Sequence, residues 1–286
     1  MTTYAVTGVT GKFGSVSLKV LAGLVPATNI IALARNVEKA QASVPAGVTV
    51  RQGDYTDVEG LKQALTGVDK LLFISSVPGG EVSRQTQHQN VIDAAKAAGV
   101  SYIAYTSYSH ADTAKSPLSE DHKYTEKALK ESGLAYSFLR NNWYLENDAG
   151  VIQGAFKGQP FTYAAGEGKV GWAPEADYAE AAAQVLATAD PKAIYEFGGP
   201  AITYAELAEQ VKAVSDQSFD VASVSEADYQ KGLEAAGLDA TTAAIITSMQ
   251  TLIHNGDLAQ SDDTLATVLG RPVTPIQTAL KALKAN

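Results

Sequence analysis

Three glycines supply the first chemistry in this chain. Gly8, Gly11 and Gly14 are spaced G-x-x-G-x-x-G in Gly8-Val9-Thr10-Gly11-Lys12-Phe13-Gly14. The run lies between a short β-rich apolar segment, Tyr4-Ala5-Val6, and an amphipathic stretch carrying Val16, Leu18, Val20, Leu21 and Leu24. Strand, glycine turn and helix in this order form a variant of the turn that cradles a dinucleotide. The first glycine permits the tight turn, the second lets backbone approach a pyrophosphate, and the third lets the helix pack close to the sheet. The helix dipole and first-turn N–H groups favour the phosphates' negative charge. A flexible loop is the plainer reading of such spacing. The flanking strand and helix, and a second βαβ unit downstream, favour the nucleotide. Gly8, Thr10, Gly11, Lys12, Phe13 and Gly14 are the contact candidates here.

Arg35 ends the second apolar run, Asn29-Ile30-Ile31-Ala32-Leu33-Ala34. An acidic residue there would bind the two ribose hydroxyls of NAD. A guanidinium suits a 2′-phosphate, by charge and by its fork of donors, and so favours NADP(H) over NAD(H). Asp54 ends the third strand and either contacts adenine or caps a turn. Ser75, Ser76 and Val77 follow the fourth strand and are expected near the pyrophosphate and nicotinamide ribose, with turn chemistry as the alternative for the two serines.

Many reductases built on such sheets use Ser, Tyr and Lys, the last two spaced Y-x-x-x-K on a helix. The lysine lowers the phenol's pKa for proton exchange. Ser107 stands where the serine belongs, but Tyr124 and Lys127 are three apart, not four. They still share a helix face, which an ordinary amphipathic helix also explains. His122 and Glu126, an i, i+4 pair on that helix, line a pocket or form a surface pair. His122, Tyr124 and Lys127 are therefore the acid–base candidates, none of them assigned as catalytic. Asn142, Trp143 and Tyr144 follow the sixth strand, and their rings suit stacking on a flat substrate.

The elements that must position these residues alternate regularly. Strands are expected at 4–6, 29–34, 48–52, 71–74, 102–106 and 135–139. Helices are expected after the glycine turn and at 37–44, 57–65 (capped by Asp57), 81–98 and 118–132. The pattern implies an α/β fold: a Rossmann-type doubly wound parallel sheet whose ligands bind beyond the carboxyl ends of the strands. Regularity weakens after residue 147. The division expected is an NAD(P)-binding domain at 1–147 and a smaller C-terminal α+β lobe at 148–286. That lobe caps the substrate, does not stand as an independent domain, and has segments able to rejoin the sheet. Short strands are expected there at 161–163, 169–172 and 194–197. Helices are signalled by capping residues at Thr203 to Glu206 and Ser225 to Asp228, by 241–253, and by a tail helix opened by Pro275.

Composition narrows the function classes. The chain has 286 residues, 45% hydrophobic and 19% charged, enough to bury a core. A net charge of −9 argues against nucleic acid as partner. With no cysteine and four scattered histidines, disulfides, thiolate catalysis and a metal site are not expected. No apolar run approaches the ~20 residues that span a bilayer, and the sequence enters its first strand without a signal segment, so a cytoplasmic protein with no membrane partner is expected.

Taken together, GVTGKFG, ALARNVEKA, GDY, LLFISS, YTS, HKYTEKALKESGLAYSFLRNNWYLEN and AAGEGKVGWA resemble the NmrA-like atypical short-chain dehydrogenase/reductases, in their branch of quinone and triphenylmethane-dye reductases. The resemblance spans nearly the whole chain. It is most specific at His122, Thr125 and Glu126 and in the L-R-N-x-W-Y run. It implies an oxidoreductase passing hydride from NADPH to a small flat acceptor such as a quinone, without flavin. It implies cofactor contacts at Gly8 to Gly14, Arg35 and Ser75 to Val77, with Asn142, Trp143 and Tyr144 toward the substrate. The branch generally lacks the Ser-Tyr-Lys set, in keeping with the spacing of Tyr124 and Lys127. A quinone needs little acid–base help, because its oxygens take protons from water once hydride has moved. Other readings are an NAD(P)-binding redox sensor without turnover, and a sugar-nucleotide epimerase or dehydratase. Such folds also allow a homodimer.

Overall fold

The computed structural model describes residues 1–259 and 262–285. In chain order the elements are β1 (Tyr4–Val6), α1 (Lys12–Leu24), β2 (Ile30–Ala34), α2 (Val37–Gln41), β3 (Thr49–Gln52), α3 (Val58–Ala64), β4 (Lys70–Phe73), α4 (Arg84–Ala98), β5 (Tyr102–Tyr108), α5 (Pro117–Ser132) and β6 (Ala135–Asn141). They continue as α6 (Ala149–Phe156), β7 (Phe161–Tyr163), β8 (Lys169–Val170), α7 (Glu175–Ala187), β9 (Ile194–Phe197), β10 (Ile202–Thr203) and α8 (Tyr204–Lys212). The last are β11 (Val221–Ser223), α9 (Glu226–Ala235), α10 (Ala240–His254), α11 (Thr264–Leu269) and α12 (Ile276–Ala285). The chain divides into two units. The first holds 1–141, 175–197 and 264–271, and the second 142–174, 198–263 and 272–286.

The first unit is a seven-stranded parallel sheet in the order β3-β2-β1-β4-β5-β6-β9. Reversal of strand direction of growth at β1 and β4 gives the doubly wound pattern expected from the sequence. β2 and β5 are buried along their whole length, as strands covered on both faces must be. One face carries Ala5, Leu33, Leu71, Phe73, Ile103 and Phe138, packed with Leu61 of α3, Val91 and Ile92 of α4 and Leu129 of α5. Residues of the opposite parity, such as Val6, Ala32, Leu72 and Ala104, are also fully buried. α1 and α7 pack together, and the Ser17 hydroxyl donates to the Ala179 carbonyl at 2.9 Å.

The helix starts obey capping chemistry. Asp57 accepts from the Gly60 N–H, Ser83 from Thr86 and Ser116 from Leu118 with Pro117 at the first turn. α4 begins at Arg84, three residues after the expected start, because Ser83 supplies the cap and the preceding Pro78-Gly79-Gly80 segment is a loop. β5 and β6 each run to seven residues, past the sequence estimate, since they pair with each other along their full length.

Two segments beyond residue 147 belong to the first unit: 175–197, which carries α7 and β9, and 264–271, which carries α11. β9 pairs with β6 as the seventh strand, and α7, with eight buried residues, belongs to the same unit. The alanine-rich composition of α7 hid its burial. The second unit contains a parallel pair, β7 with β11, an antiparallel pair, β8 with β10, and helices α6, α8, α9, α10 and α12. The capping box at Thr203 and Glu206 is formed in both directions, and Ser225 caps α9.

Candidate functional site

The glycine turn of the first unit is built for close backbone packing. Gly8 has φ +63°, a left-handed conformation that favours glycine. A Cβ at Gly14 would run into the Gly8 carbonyl, so only glycine lets α1 start this close to β1. Gly11 caps α1 without any side-chain acceptor, and the first turn carries no acidic residue. An uncapped, positively polarised helix start is what a phosphate requires.

The strand ends beside this turn are cross-tied. The Ile74 N–H donates to Thr7 Oγ1 at 2.9 Å, and the Tyr55 hydroxyl lies 2.6 Å from Thr7 Oγ1 and 2.7 Å from the Ile74 carbonyl. Burial pushes the Tyr55 phenol well above its ordinary pKa, so it stays protonated despite the Thr7 bond. Arg35 is exposed at the end of β2, and no partner engages its guanidinium among the described residues. Asp54 accepts from both the N–H and the hydroxyl of Thr56, an Asx turn. The Ser75 N–H donates to Thr106 Oγ1 and the Ser76 N–H to His88 Nε2, at 2.9 and 3.0 Å, while Val77 is exposed. Thr10 and Lys12 are exposed, and Phe13 is buried.

Beyond β5 lies a charged cluster that sequence reasoning did not assemble. The Ser107 hydroxyl donates to Glu126 Oε1 at 2.6 Å. Arg140 grips the same carboxylate with two bonds, Nε to Oε1 at 2.8 Å and Nη2 to Oε2 at 2.7 Å. Its Nη1 donates to Asp112 and Glu196 at 2.9 and 2.8 Å, and Glu196 also accepts from the His110 N–H. Burial alone would lower the Arg140 pKa. The bonds to Glu126 and Glu196 overrule it and hold the guanidinium firmly charged.

Ser107 bonds neither Tyr124 nor Lys127, the two acid–base candidates whose spacing on α5 is three and not four. Tyr124 donates to Gln89 of α4 at 3.1 Å, and Lys127 lies 3.9 Å from Glu131, its side chain 75% exposed. Both line an open groove of about 300 Å³ between α4 and α5. The inward face of α5 is Ser119, His122, Thr125, Glu126 and Leu129, a helical stripe that excludes positions 124 and 127. Four of these five residues are polar, so the stripe reads in sequence as a wet face. The spacing of four falls on His122 and Glu126. These two are both buried and do not pair with each other: Glu126 holds Ser107 and Arg140, and His122 meets Tyr105.

In the second unit, Asn142 Nδ2 donates to the Leu258 carbonyl at 3.2 Å, Tyr144 bridges to Ala173, and Trp143 is half-buried. Asp148, unmarked by any motif, organises this region. Its Oδ2 accepts from the indoles of Trp143 and Trp172 at 3.1 and 2.8 Å, and its Oδ1 from the Tyr204 hydroxyl at 2.7 Å. Gln250 Nε2 donates in turn to Tyr204 at 2.9 Å. Desolvation raises the Asp148 pKa against the pull of these three donors. Among the described residues, no cluster of three His, Asp or Glu side chains is placed to hold a metal, and no helix is long and apolar enough to cross a membrane.

Comparison with known proteins extends this geometry. A family model described as NAD(P)H-binding matches residues 8–189. Quinone oxidoreductase 2 of Escherichia coli K12 is 42% identical over 281 residues, covering 98% of each chain. The crystal structure of NADPH-dependent quinone oxidoreductase from E. coli, complexed with NADPH, aligns with TM-score 0.92 over 98% of this chain and 99% of that one. The triphenylmethane reductase of Citrobacter sp. complexed with NADP(H) aligns with TM-score 0.91 at 35% identity, over 98% and 99% of the two chains.

Proposed function

Because the chain belongs to the NAD(P)H-binding family, we propose that it is an NADPH-dependent quinone oxidoreductase acting by direct hydride transfer without flavin. The observation that carries this reading is its likeness, at 42% identity over 98% of its length, to a quinone oxidoreductase.

The residues present fit the cofactor. The uncapped start of α1 and the glycine turn would take the pyrophosphate, with Gly8, Thr10, Gly11, Lys12, Phe13 and Gly14 around it. Arg35, exposed and unengaged, would take the 2′-phosphate, which favours NADPH over NADH. Asp54 would lie toward the adenosine, and Ser75, Ser76, Val77 and Ser107 toward the nicotinamide ribose. Bound NADPH would supply the hydride. Ser107 gives its proton to Glu126, so its oxygen serves a ligand as acceptor and not as an acid. In the second unit, Asn142, Trp143 and Tyr144 are the proposed acceptor residues, with the Trp143 ring fixed by Asp148.

The test is oxidation of NADPH and NADH by the purified protein, with benzoquinone and menadione as acceptors and no added flavin. Wild type should turn over and prefer NADPH. Removal of the charge-assisted contacts in Arg35→Ala, worth about 1.5–3 kcal/mol, should shrink that preference by roughly 10- to 150-fold. Tight NADPH binding without turnover on any quinone would overturn the reading in favour of a redox sensor.

A further inference from the structure

A phenol from one half of the first unit's sheet grips the end of β4 in the other half. The strand order reverses at β1 and β4, and a dinucleotide lies across such a reversal with one half on each side. Tyr55 follows β3, in the half built from β1, β2 and β3. The other half nevertheless holds it. Its hydroxyl meets the Ile74 carbonyl at 2.7 Å, and its ring packs edge-on against Phe73 of β4 with centroids 5.5 Å apart. Its own carbonyl accepts from Asn90 Nδ2 of α4 at 2.9 Å.

Hydrogen counting closes a ring through this contact. A carbonyl can only accept, so the single Tyr55 hydrogen goes to Ile74. Burial keeps the phenol protonated, so that hydrogen is present at neutral pH. The Thr7 hydroxyl, 2.6 Å away, must then donate to the Tyr55 oxygen. The Leu72 carbonyl competes poorly for the Thr7 hydrogen: it lies farther off, at 3.3 Å, and already takes the Thr7 N–H. The Ile74 N–H returns to Thr7 Oγ1 at 2.9 Å. Tyr55 to Ile74, Ile74 to Thr7 and Thr7 to Tyr55 form a closed circuit, and both backbone polar groups of Ile74 are fixed by it.

This circuit abuts the glycine turn. Thr7 precedes Gly8 in the chain, and a Cβ on Gly8 would lie 3.7 Å from Ile74 Cβ, so the Ile74 side chain walls the turn. The β1–β4 ladder ends where the Thr7 N–H meets the Leu72 carbonyl. Past that point side-chain bonds carry the tie between the two loops. The next N–H groups, of Ser75 and Ser76, bond Thr106 and His88 within their own half.

We propose that Tyr55 is a positioning residue that locks the two halves of the cofactor site in register, the glycine turn on one side and the Ile74-Ser75-Ser76 segment on the other. The proposal rests on the NADPH reading. A ligand spanning two half-sites gains from the second only while their separation is fixed, because its second half then binds intramolecularly and without ordering the protein.

Calorimetric titration with NADPH and with 2′,5′-ADP, which fills the adenosine half alone, separates this role from a structural one. Tyr55→Phe keeps the ring on Phe73 and removes only the hydroxyl. It should weaken NADPH binding by roughly 5- to 20-fold and 2′,5′-ADP binding by less than about twofold. Thr7→Val, which removes the shared oxygen, should do the same, and Thr7→Ser, which keeps it, should stay within about twofold of wild type for both ligands. Equal losses for the two ligands, an unchanged NADPH affinity in Tyr55→Phe, or a Thr7→Ser variant as weak as Thr7→Val would overturn the proposal. Should Thr7→Val not fold, Tyr55→Phe decides. Failure of wild type to bind NADPH at all overturns the cofactor reading, and the proposal with it.

Discussion

Glu126→Ala removes one partner of the most enclosed ion pair in the first unit. The side chains of Glu126 and Arg140 are 4% and 3% exposed, and two bonds of 2.8 and 2.7 Å join them. Deleting one member of such a pair costs about 3–5 kcal/mol, because the survivor stays buried without compensation. Here the guanidinium keeps Asp112 and Glu196 on Nη1, so the lower end, about 3 kcal/mol, applies. In a chain of this size that lowers Tm by roughly 6–12 °C. Asp112 makes a bond of similar length, 2.9 Å, but its side chain is 57% exposed. Asp112→Ala should therefore cost no more than ~1 kcal/mol. Thermal and urea unfolding of both variants provides the assay, with the double variant Glu126→Leu/Arg140→Met as a third arm. Replacing the whole pair by apolar groups should recover much of the loss. The reasoning is refuted if Asp112→Ala destabilises as much as Glu126→Ala, since burial would then not set the strength of these bonds.

Three further outcomes are expected. Gly14→Ala should abolish NADPH binding or folding, because its Cβ would meet the Gly8 carbonyl, whereas Gly23→Ala, where no atom lies near, should be tolerated; titration and circular dichroism distinguish them. Acid should weaken the fold through His88. Its folded pKa, about 3, lies below the ordinary 6.5, so unfolded chains bind the extra proton and stability falls as pH drops through that window, by up to ~1.4 kcal/mol per pH unit. His88→Gln should flatten that slope in urea melts at stepped pH. Asp148→Ala should orphan two indole N–H groups and one hydroxyl, cost about 3 kcal/mol or more, and shift tryptophan emission. With a raised folded pKa, Asp148 has the opposite sign: the native state holds a proton just above pH 3.8 that the unfolded chain has released, so its contribution falls as pH rises there.

The sheet was legible because its signals are local. Apolar runs at β2, β4 and β5 and caps at Asp57, Thr203 and Ser225 each specify their own element. The glycine turn was legible for the same reason, since sterics between Gly8 and Gly14 act across six residues. Long-range partners were not. Glu126, Arg140 and Glu196 come from three elements, and only the register of β5, β6 and β9 brings them together. Asp148 likewise depends on Trp172, Tyr204 and Gln250, each distant in sequence. The inward face of α5 was not legible either, because a buried helix face made of Ser, His, Thr and Glu carries no apolar mark. Which segments beyond residue 147 rejoin the sheet was not legible, because a strand's place in a sheet is decided by the neighbour it pairs with.

The threading of the first unit also sets a timetable for its synthesis. The ribosome releases β6 long before β9, and α11 later still. Between residues 141 and 197 roughly 56 residues must emerge, about 3–11 seconds at ~5–20 residues per second. During that time the nascent sheet ends in an open edge at β6, a strand destined for near-complete burial, and α1 lacks the eight buried residues that α7 brings. An edge of that kind recruits other strands. The return of β9 to pair with β6 removes that edge.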